Sequence, residues 1–372
     1  MSRALEGLRA KGSPIADLTE SNPTRAGVPY PDGLLAPLAS VEALRYEPHP
    51  LGLPSARVAV ADDQRRRGAR VDPAHVVLTA STSEAYSWLF KLLCNPGEAV
   101  LVPRPSYPLF EHLTALEGIR AHPYALEYHG RWAIDIDSIA AGPRDVRAVL
   151  VVSPNNPTGS YIGTEELQSV SGLCRERKWA LIVDEVFADY PLDACDPLTD
   201  IAAQSDVLTF TLGGLSKSVG LPQIKLGWCS VGGPAPDRDA ALGALELIAD
   251  SYLSAGTPVQ VAARHLLQAG TSIRAAIQNR IRRNLATLRT IVGRHPACDL
   301  LRVEGGWSAV LRVPSTRSEE QWVLDLLHTE RILVHPGYFF DFPREAYLVV
   351  SLLPPDAAFE DAAVRLLRFV NT

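Results

Sequence analysis

Cysteine is scarce in this sequence, and long apolar segments are missing from it. No apolar run is long enough to cross a membrane, and the N-terminus lacks the hydrophobic core of a signal peptide. The five cysteines show none of the paired spacings of metal or redox motifs. Such thiols are typical of a reducing compartment, so we expect a cytoplasmic protein. The cysteines are Cys94, Cys174, Cys195, Cys229 and Cys298.

A strong charge of either sign is also missing. The formal net charge is −6 over 372 residues, and the basic run at 65–67 is short. A run of this length favours a solvated helix face over a nucleic-acid patch. With 47% apolar and 21% charged residues, the composition is that of a globular protein, and the length predicts two or three domains.

Short apolar segments alternate with helical patterns along the chain. Strands are predicted at 76–79, 99–103, 146–152 and 180–183. Helices are predicted at 56–68, 85–93, 164–178 and 265–292. Strands that alternate with helices predict an open, mostly parallel α/β sheet. After Pro296 a smaller α+β pattern follows, with strands near 301–311 and 347–353 and a helix near 319–330. We expect a large domain at 45–285, and a small domain made of 1–44 and 286–372.

Polar residues follow each predicted strand of the large domain, at 81–84, 105–108, 153–159 and 184–185. Ligands of open α/β sheets bind at the carboxyl ends of the strands, so these clusters predict a ligand site. The first cluster has the Ser-x-x-Glu pattern of a helix capping box. A hydroxyl-rich turn at a helix N-terminus binds anions, and a capped helix without a ligand is the alternative.

One lysine, Lys217, lies among small residues shortly after the apolar run 207–212. An ammonium group at the end of a buried strand is poorly solvated, which lowers the pKa of the lysine. A neutral lysine amine is a nucleophile that forms Schiff bases with carbonyl compounds. The alternative is an ordinary solvated loop lysine.

Three short motifs occur in one order along the chain: Asn-Pro-Thr-Gly at 156–159, Asp-Glu at 184–185 and Ser-Lys at 216–217. With them, and over nearly its whole length, the sequence resembles the class I and II aminotransferases. These are pyridoxal-phosphate (PLP) enzymes of fold type I, in the aspartate aminotransferase-like superfamily. The resemblance implies a three-layer sandwich with a mostly parallel central sheet, plus a smaller α+β domain. It also implies pyridoxal 5′-phosphate as cofactor and a homodimer with shared active sites, with no nucleic-acid or membrane partner.

The resemblance assigns the reacting groups. Lys217 would form the Schiff base with the cofactor and later move the proton of the substrate Cα. Asp184 would keep the pyridine nitrogen protonated, so that the ring can accept electrons. Tyr107 would stack on the ring and Asn156 would bond to its phenolic oxygen. Packing is the alternative for the tyrosine, and turn formation is the alternative for the asparagine.

The resemblance also assigns binding residues. Asn22 belongs to a segment similar to the one that covers the substrate in the family. The residues around the cofactor phosphate would be Thr82, Ser83, Ser216, Lys225 and, from the neighbouring subunit, Tyr46.

Three positions depart from the family's pattern. Phe187 replaces a tyrosine that donates to the phenolic oxygen, and we expect its loss to raise the pKa of the Schiff base. Lys225 replaces a phosphate-binding arginine and keeps the charge without the bidentate fork. Val349 replaces the arginine that clamps the substrate carboxylate, and valine cannot make that contact. The candidate substitutes, each of which is also explained as a surface charge, are Arg312, the preferred one, Arg25 and Arg344.

The predicted function is transamination between an amino acid and a 2-oxo acid through a Lys217 aldimine. Because Val349 replaces the arginine, a second interpretation stays open: a PLP-dependent lyase, decarboxylase or carbon–carbon bond-forming enzyme of a biosynthetic pathway. A third is a non-catalytic binding protein on the same scaffold, which Lys217 and Asp184 disfavour. The residues do not name the amino donor. Candidates for lining its pocket, or for packing only, are Trp307, Ser308, Tyr338 and Phe339.

Overall fold

A computed structural model describes residues 2–10, 12–193, 200–204 and 206–371. Cys195 lies outside the described residues. The strands are β1 (Ala16–Asp17), β2 (Val76–Thr79), β3 (Ala99–Arg104), β4 (Arg120–Tyr128), β5 (Trp132–Ile134), β6 (Val146–Val152), β7 (Ala180–Asp184), β8 (Thr209–Gly214), β9 (Gly227–Gly232), β10 (Asp299–Leu300), β11 (Ser308–Arg312), β12 (Ile332–Leu333), β13 (His335–Pro336) and β14 (Tyr347–Ser351).

The helices lie before, between and after these strands. None of those in the described residues is long and apolar enough to span a membrane. A π-helical turn, Leu326–Glu330, continues the eleventh helix. The helices are α1 (Ser2–Ala10), α2 (Pro54–Arg66), α3 (Thr82–Leu93), α4 (Phe110–Leu116), α5 (Ile136–Ala140), α6 (Thr164–Arg177), α7 (Ile201–Gln204), α8 (Leu215–Ser218), α9 (Ala235–Asp250), α10 (Thr257–Val292), α11 (Glu319–Asp325) and α12 (Asp356–Val370).

The large sheet has eight strands in the order β2-β9-β8-β7-β6-β3-β4-β5. Its centre, from β8 to β4, is parallel, whereas β9 and β5 run antiparallel to their neighbours. Successive side chains of a strand point to opposite faces. Val149 and Val151 of β6 pack with α6, and Ala148 and Leu150 pack with α3 and α9. This three-layer sandwich confirms the predicted fold.

The long helix α10 spans 36 residues and carries the predicted apolar stripe. Ile273, Ile277 and Ile281 on this stripe are fully buried. The predicted start at residue 265 is wrong, because the helix begins at Thr257. Pro258 in its first turn fits there, since the first turn leaves backbone N–H groups unpaired in any case. The same reasoning explains why α2 begins at Pro54 rather than at residue 56.

The C-terminal part forms a four-stranded antiparallel sheet in the order β10-β11-β14-β13. A further parallel pair, β1 with β12, joins the N-terminal segment to this part of the chain. The predicted helix near 319–330 is present as α11 and its π-helical continuation. The last helix, α12, escaped the sequence analysis although Phe359, Ala363 and Leu366 stand at helical spacing.

The carboxyl ends of the central strands meet at one edge of the large sheet. Asp184, the last residue of β7, lies opposite Val152 of β6 and Leu212 of β8. Gly227, the first residue of the antiparallel β9, lies opposite both Gly214 of β8 and Thr79 of β2. The predicted polar clusters therefore share this edge.

Candidate active site

The backbone around Lys217 is held by a tyrosine from the neighbouring loop. Lys217 lies in the short helix α8, directly after β8. The Tyr190 hydroxyl donates to the carbonyl oxygens of Lys217 and Ser218, at 2.8 and 3.1 Å. A Cβ atom at Gly213 would lie 2.5 Å from the indole nitrogen of Trp228, so the close pairing of β8 with β9 requires glycine there. These contacts fix the point from which the lysine side chain extends.

The Lys217 side chain is largely buried in an aromatic environment. Its Nζ atom lies 5.5 Å from the ring centre of Phe187 and 5.2 Å from that of Trp307. Among the described residues it has no hydrogen-bond acceptor and no ion-pair partner. Burial lowers the pKa of Lys217, and the charge of Asp184 opposes that shift only in part. Lys217 is therefore not a solvated loop lysine.

Asp184 is buried, with 8% of its surface exposed. Its Oδ1 accepts the backbone N–H of Val186 at 3.0 Å, and its Oδ2 accepts the Tyr86 hydroxyl at 2.6 Å. Burial raises the pKa of Asp184, while Tyr86, the Val186 N–H and Lys217 act against that shift. Tyr86 was not among the residues predicted from the sequence. Its one signal was a tyrosine on the apolar face of α3 with Leu89 and Phe90, because a buried phenol usually finds a hydrogen-bond partner.

A cluster of hydroxyl groups surrounds the N-terminus of α3. The hydroxyls of Thr82, Ser83 and Ser216 have no hydrogen-bond partner among the described residues. A Cβ atom at Gly214 would lie 3.9 Å from the Thr82 methyl group, so the turn that carries Ser216 passes close to this helix end. A Cβ atom at Gly227 would lie 3.0 Å from the Thr82 nitrogen. Free N–H groups and the helix dipole make this cradle suitable for a phosphate.

The predicted capping box is present in altered form. Ser81 Oγ accepts the backbone N–H of Glu84 at 3.3 Å, as expected. The Glu84 carboxylate, however, accepts the N–H of Ala80 at 2.6 Å rather than that of Ser81. It also accepts the Ser254 hydroxyl at 2.6 Å, a contact from a distant part of the chain. Glu84 therefore also ties the start of α3 to the loop before α10.

Two loops at the sheet edge are joined by Asn155, which the sequence analysis passed over. Asn155 accepts from the Ser106 hydroxyl and donates to the Pro105 carbonyl, both at 2.9 Å. The neighbouring Asn156 accepts from the Ser308 hydroxyl at 3.4 Å. Tyr107 is half exposed, and its ring centre lies 6.5 Å from that of Phe340. The adjacent asparagines have different roles, and only tertiary contacts distinguish them.

The N-terminal segment connects β14 to the turn after Lys217. Leu18 and Glu20 accept through their carbonyl oxygens from the backbone N–H and the hydroxyl of Ser351, at 2.6 and 2.7 Å. Pro23 lies 3.5 Å from where a Cβ atom of Gly220 would stand. Asn22 lies between these two anchor points. Its side chain accepts from Thr24 within the same turn.

The structure does not bring every predicted residue to this edge. Arg312 stands four residues beyond Ser308 along β11, where it is exposed and paired with Asp299. Lys225 lies near the edge, two residues before Gly227, but it is exposed, as is Tyr46 at 72%. Val349 is buried in an apolar cluster with Val310 and Phe340, so β14 presents no charge to the site.

These groups fit PLP. The described residues offer a buried lysine with a lowered pKa, a buried carboxylate and a cluster of hydroxyl groups at a helix N-terminus, all at one sheet edge. The model of the family "Aminotransferase class I and II" matches residues 38–366. The chain belongs to this family.

Relatives and solved structures agree with this membership. A glutamate-pyruvate aminotransferase of Haemophilus influenzae is 28% identical over 387 residues, which covers 98% of this chain and 92% of the relative. An alanine aminotransferase of Mycobacterium tuberculosis is also 28% identical, over 98% of this chain and 87% of its own. The structure of an alanine aminotransferase from Pyrococcus furiosus has a TM-score of 0.89 at 24% identity, and covers 99% of this chain and 95% of that chain.

The family resemblance found in the sequence is thus confirmed, as is the fold. This aminotransferase uses pyridoxal 5′-phosphate to transfer an amino group between an amino acid and a 2-oxo acid. The lyase, decarboxylase and bond-forming alternatives are not favoured.

The buried lysine leads to a prediction about stability and pH. A lysine whose pKa is lower in the folded than in the unfolded state binds fewer protons when folded, so stability rises with pH between the two pKa values. Replacing Lys217 by Met removes the cost of burying the ammonium. Both proteins are compared without cofactor. We expect Lys217→Met to unfold at a higher urea concentration than the parent at pH 7. The difference should shrink as the pH approaches 10.5, the ordinary lysine value.

The exposed Lys178 provides the control for this measurement. Lys178→Met changes charge and side chain in the same way without relieving burial. The stability of Lys178→Met against urea should therefore not exceed that of the parent by an amount that changes with pH. If the parent and the Lys217→Met protein gave parallel stability profiles from pH 7 to 10, the buried ammonium would not be costly.

Proposed function

We propose that Lys217 and Asp184 are the reacting centre of this aminotransferase. The observation that supports this most directly is the burial of the Lys217 amine beside two adjacent aromatic rings, without an acceptor among the described residues. When bound, PLP supplies a carbonyl carbon that takes the amino group and a ring that draws electrons from the substrate Cα. Lys217 in its neutral form would hold the cofactor through its amine, and once free that amine would accept the proton from the substrate Cα.

The remaining site residues hold and orient the cofactor in this proposal. Asp184 pairs with the pyridine nitrogen and Asn156 bonds to the phenolic oxygen. Tyr107 covers the ring, and Phe187 borders it without offering a hydrogen-bond donor. The phosphate-binding residues are the hydroxyls of Thr82, Ser83 and Ser216 at the N-terminus of α3, together with the charge of Lys225.

We propose Arg25, rather than Arg312, as the group that binds the substrate carboxylate in place of the missing arginine at 349. Arg25 follows Asn22 in the segment that contacts both Ser351 of β14 and Gly220 near Lys217. Its side chain is exposed and meets only Glu20, at 3.1 Å, in the described residues. The substrate carboxylate can replace Glu20 in this exposed ion pair at low cost, because solvent screens the attraction between the two charges.

We also propose a homodimer in which Tyr46 reaches the partner's phosphate site. Large apolar side chains on the same segment are exposed, at 45% for Leu35, 75% for Val41 and 85% for Leu44. An exposed cluster of this kind is typical of a protein interface. Tyr46 lies at its end and makes no hydrogen bond to the described residues of its own chain.

The proposal also includes the division of the chain into two domains and its cellular location. The eight-stranded sheet lies within residues 76–232, and β1 pairs with β12, which supports a large domain at 45–285 and a small one made of 1–44 and 286–372. The described cysteines, Cys94, Cys174, Cys229 and Cys298, are free thiols, which supports a cytoplasmic location.

The assignment of Arg25 is tested by steady-state kinetics. Arg25→Ala should raise KM for amino acid substrates roughly ten- to a hundred-fold, because a charge-assisted hydrogen bond to the carboxylate is lost. The absorbance of the bound cofactor should not change. Arg312→Ala provides the comparison, since Arg312 is also an exposed arginine paired with one carboxylate. A raised KM in Arg312→Ala with an unchanged KM in Arg25→Ala would reverse the assignment.

The shared active site is tested by mixing two impaired variants, Lys217→Ala and Tyr46→Ala. If each site takes Lys217 from one subunit and Tyr46 from the other, a mixed dimer has one complete site. Random exchange makes half of the dimers mixed, so about a quarter of all sites should be complete. Activity should rise toward that level after the subunits have exchanged in mild denaturant. A mixture no more active than the separate variants would place both residues in the same subunit's site.

A further inference from the structure

The carboxylate of Asp184 receives one hydrogen bond on each oxygen. One donor is the backbone N–H of Val186, which any residue at that position would supply. The other is the side chain of Tyr86, a hydroxyl donor 2.6 Å from Oδ2. A hydrogen bond from a neutral donor stabilises the ionised form of an acid relative to its neutral form. The ionised form is the one that can pair with a protonated pyridine nitrogen.

We propose that Tyr86 is a positioning residue that keeps Asp184 ionised and aims its carboxylate at the pyridine nitrogen of the cofactor. This inference rests on the proposed function of Asp184.

Because Tyr86 lies on α3, its hydrogen bond to Asp184 links that carboxylate to the helix whose N-terminus carries the hydroxyl cluster. Thr82, at the first turn of this helix, and Tyr86, one turn later, lie on the same helix face because they are four residues apart. Their Cα atoms are about 6 Å apart along the axis, given a rise of 1.5 Å per residue. One rigid helix thus carries both the phosphate cradle and the donor to Asp184. It fixes the distance between the two ends of the cofactor site.

The hydrogen bond of Tyr86 can be removed without loss of the contacts that its ring makes. The ring packs against Phe90 and Phe110, with ring centres 6.0 and 5.6 Å apart, and 1% of the residue is exposed. A phenylalanine would keep these contacts. Burial and the charge of Asp184 raise the pKa of Tyr86 well above its ordinary value, so Tyr86 stays protonated at working pH. It is therefore a permanent donor.

The other charges around Asp184 remain when the hydroxyl is removed. Lys217 acts on Asp184 by its charge alone, without a hydrogen bond. The neighbouring Glu185 is turned to Arg67, with which it forms an ion pair at 3.1 Å. Removal of the Tyr86 hydroxyl therefore takes away one donor and leaves the surrounding charges in place.

The test uses Tyr86→Phe and two cofactor probes. The first probe is pyridoxal phosphate, and the second is its deaza analogue, in which a C–H group replaces the ring nitrogen. The parent should bind pyridoxal phosphate more tightly than the analogue, since only the former pairs with the carboxylate. In Tyr86→Phe this preference should fall roughly ten-fold, the size expected for one hydrogen bond to a charged group. Affinity for the deaza analogue should hardly change.

Tyr124→Phe is the matched control. Tyr124 is a fully buried tyrosine on β4, and its hydroxyl donates to the Leu150 carbonyl at 3.0 Å. Both variants should lower the melting temperature of the cofactor-free protein, because each loses one buried hydrogen bond. Only Tyr86→Phe should reduce the preference for pyridoxal phosphate over the deaza analogue.

Two results would contradict the inference at different levels. If Tyr86→Phe weakened both probes equally, the hydroxyl would have a structural role only, and the proposal for Tyr86 would be wrong. Asp184→Asn tests the underlying assignment. If that variant kept the parent's preference for pyridoxal phosphate, Asp184 would not be the partner of the ring nitrogen, and the proposed function of Asp184 itself would fail.

Discussion

The candidate active site depends on the burial of two ionisable groups, Lys217 and Asp184, at one edge of the sheet. Removal from water favours the neutral form of both side chains. The surroundings of the two groups differ. The carboxylate is given two hydrogen-bond donors, from Val186 and Tyr86, which favour its charge. The amine lies beside the adjacent rings of Phe187 and Trp307 without an acceptor in the described part of the chain, and its burial favours the neutral form.

The sheet brings these groups together from distant parts of the sequence. Asp184 ends β7 and Lys217 follows β8, and these two strands are parallel neighbours, so both residues reach the same edge. The start of α3 adds the hydroxyl cluster that we propose binds the phosphate, at a distance from Asp184 that a single helix sets. The N-terminal segment then passes from Ser351 of β14 to Gly220 beside the lysine turn. Its arginine, Arg25, compensates in our proposal for the apolar side chain of Val349.

The sequence predicted the parts that depend on local pattern. Apolar strands with polar carboxyl ends predicted the parallel sheet and the edge where the polar clusters meet, and the order of the short motifs pointed to the family. Contacts between elements could not be predicted in this way. Nothing local distinguishes Asn155, which joins two loops, from Asn156, or marks Tyr86 as a partner of Asp184 across 98 positions of sequence. Arg312 was preferred to Arg25 for the same reason. Only the folded chain shows that Arg312 lies four residues beyond Ser308 along β11, whereas Arg25 belongs to the segment that contacts Ser351 and Gly220.

The measurement that tests the central role of Lys217 most directly is reduction of the PLP-loaded protein with borohydride, followed by peptide mapping. Borohydride converts a lysine Schiff base into a stable covalent bond, so the modified peptide identifies the lysine that holds the cofactor. The label is expected on the peptide that contains Lys217, and it should be missing from the Lys217→Ala protein. A label on Lys225 or another lysine, or a parent protein that takes no label, would contradict the assignment.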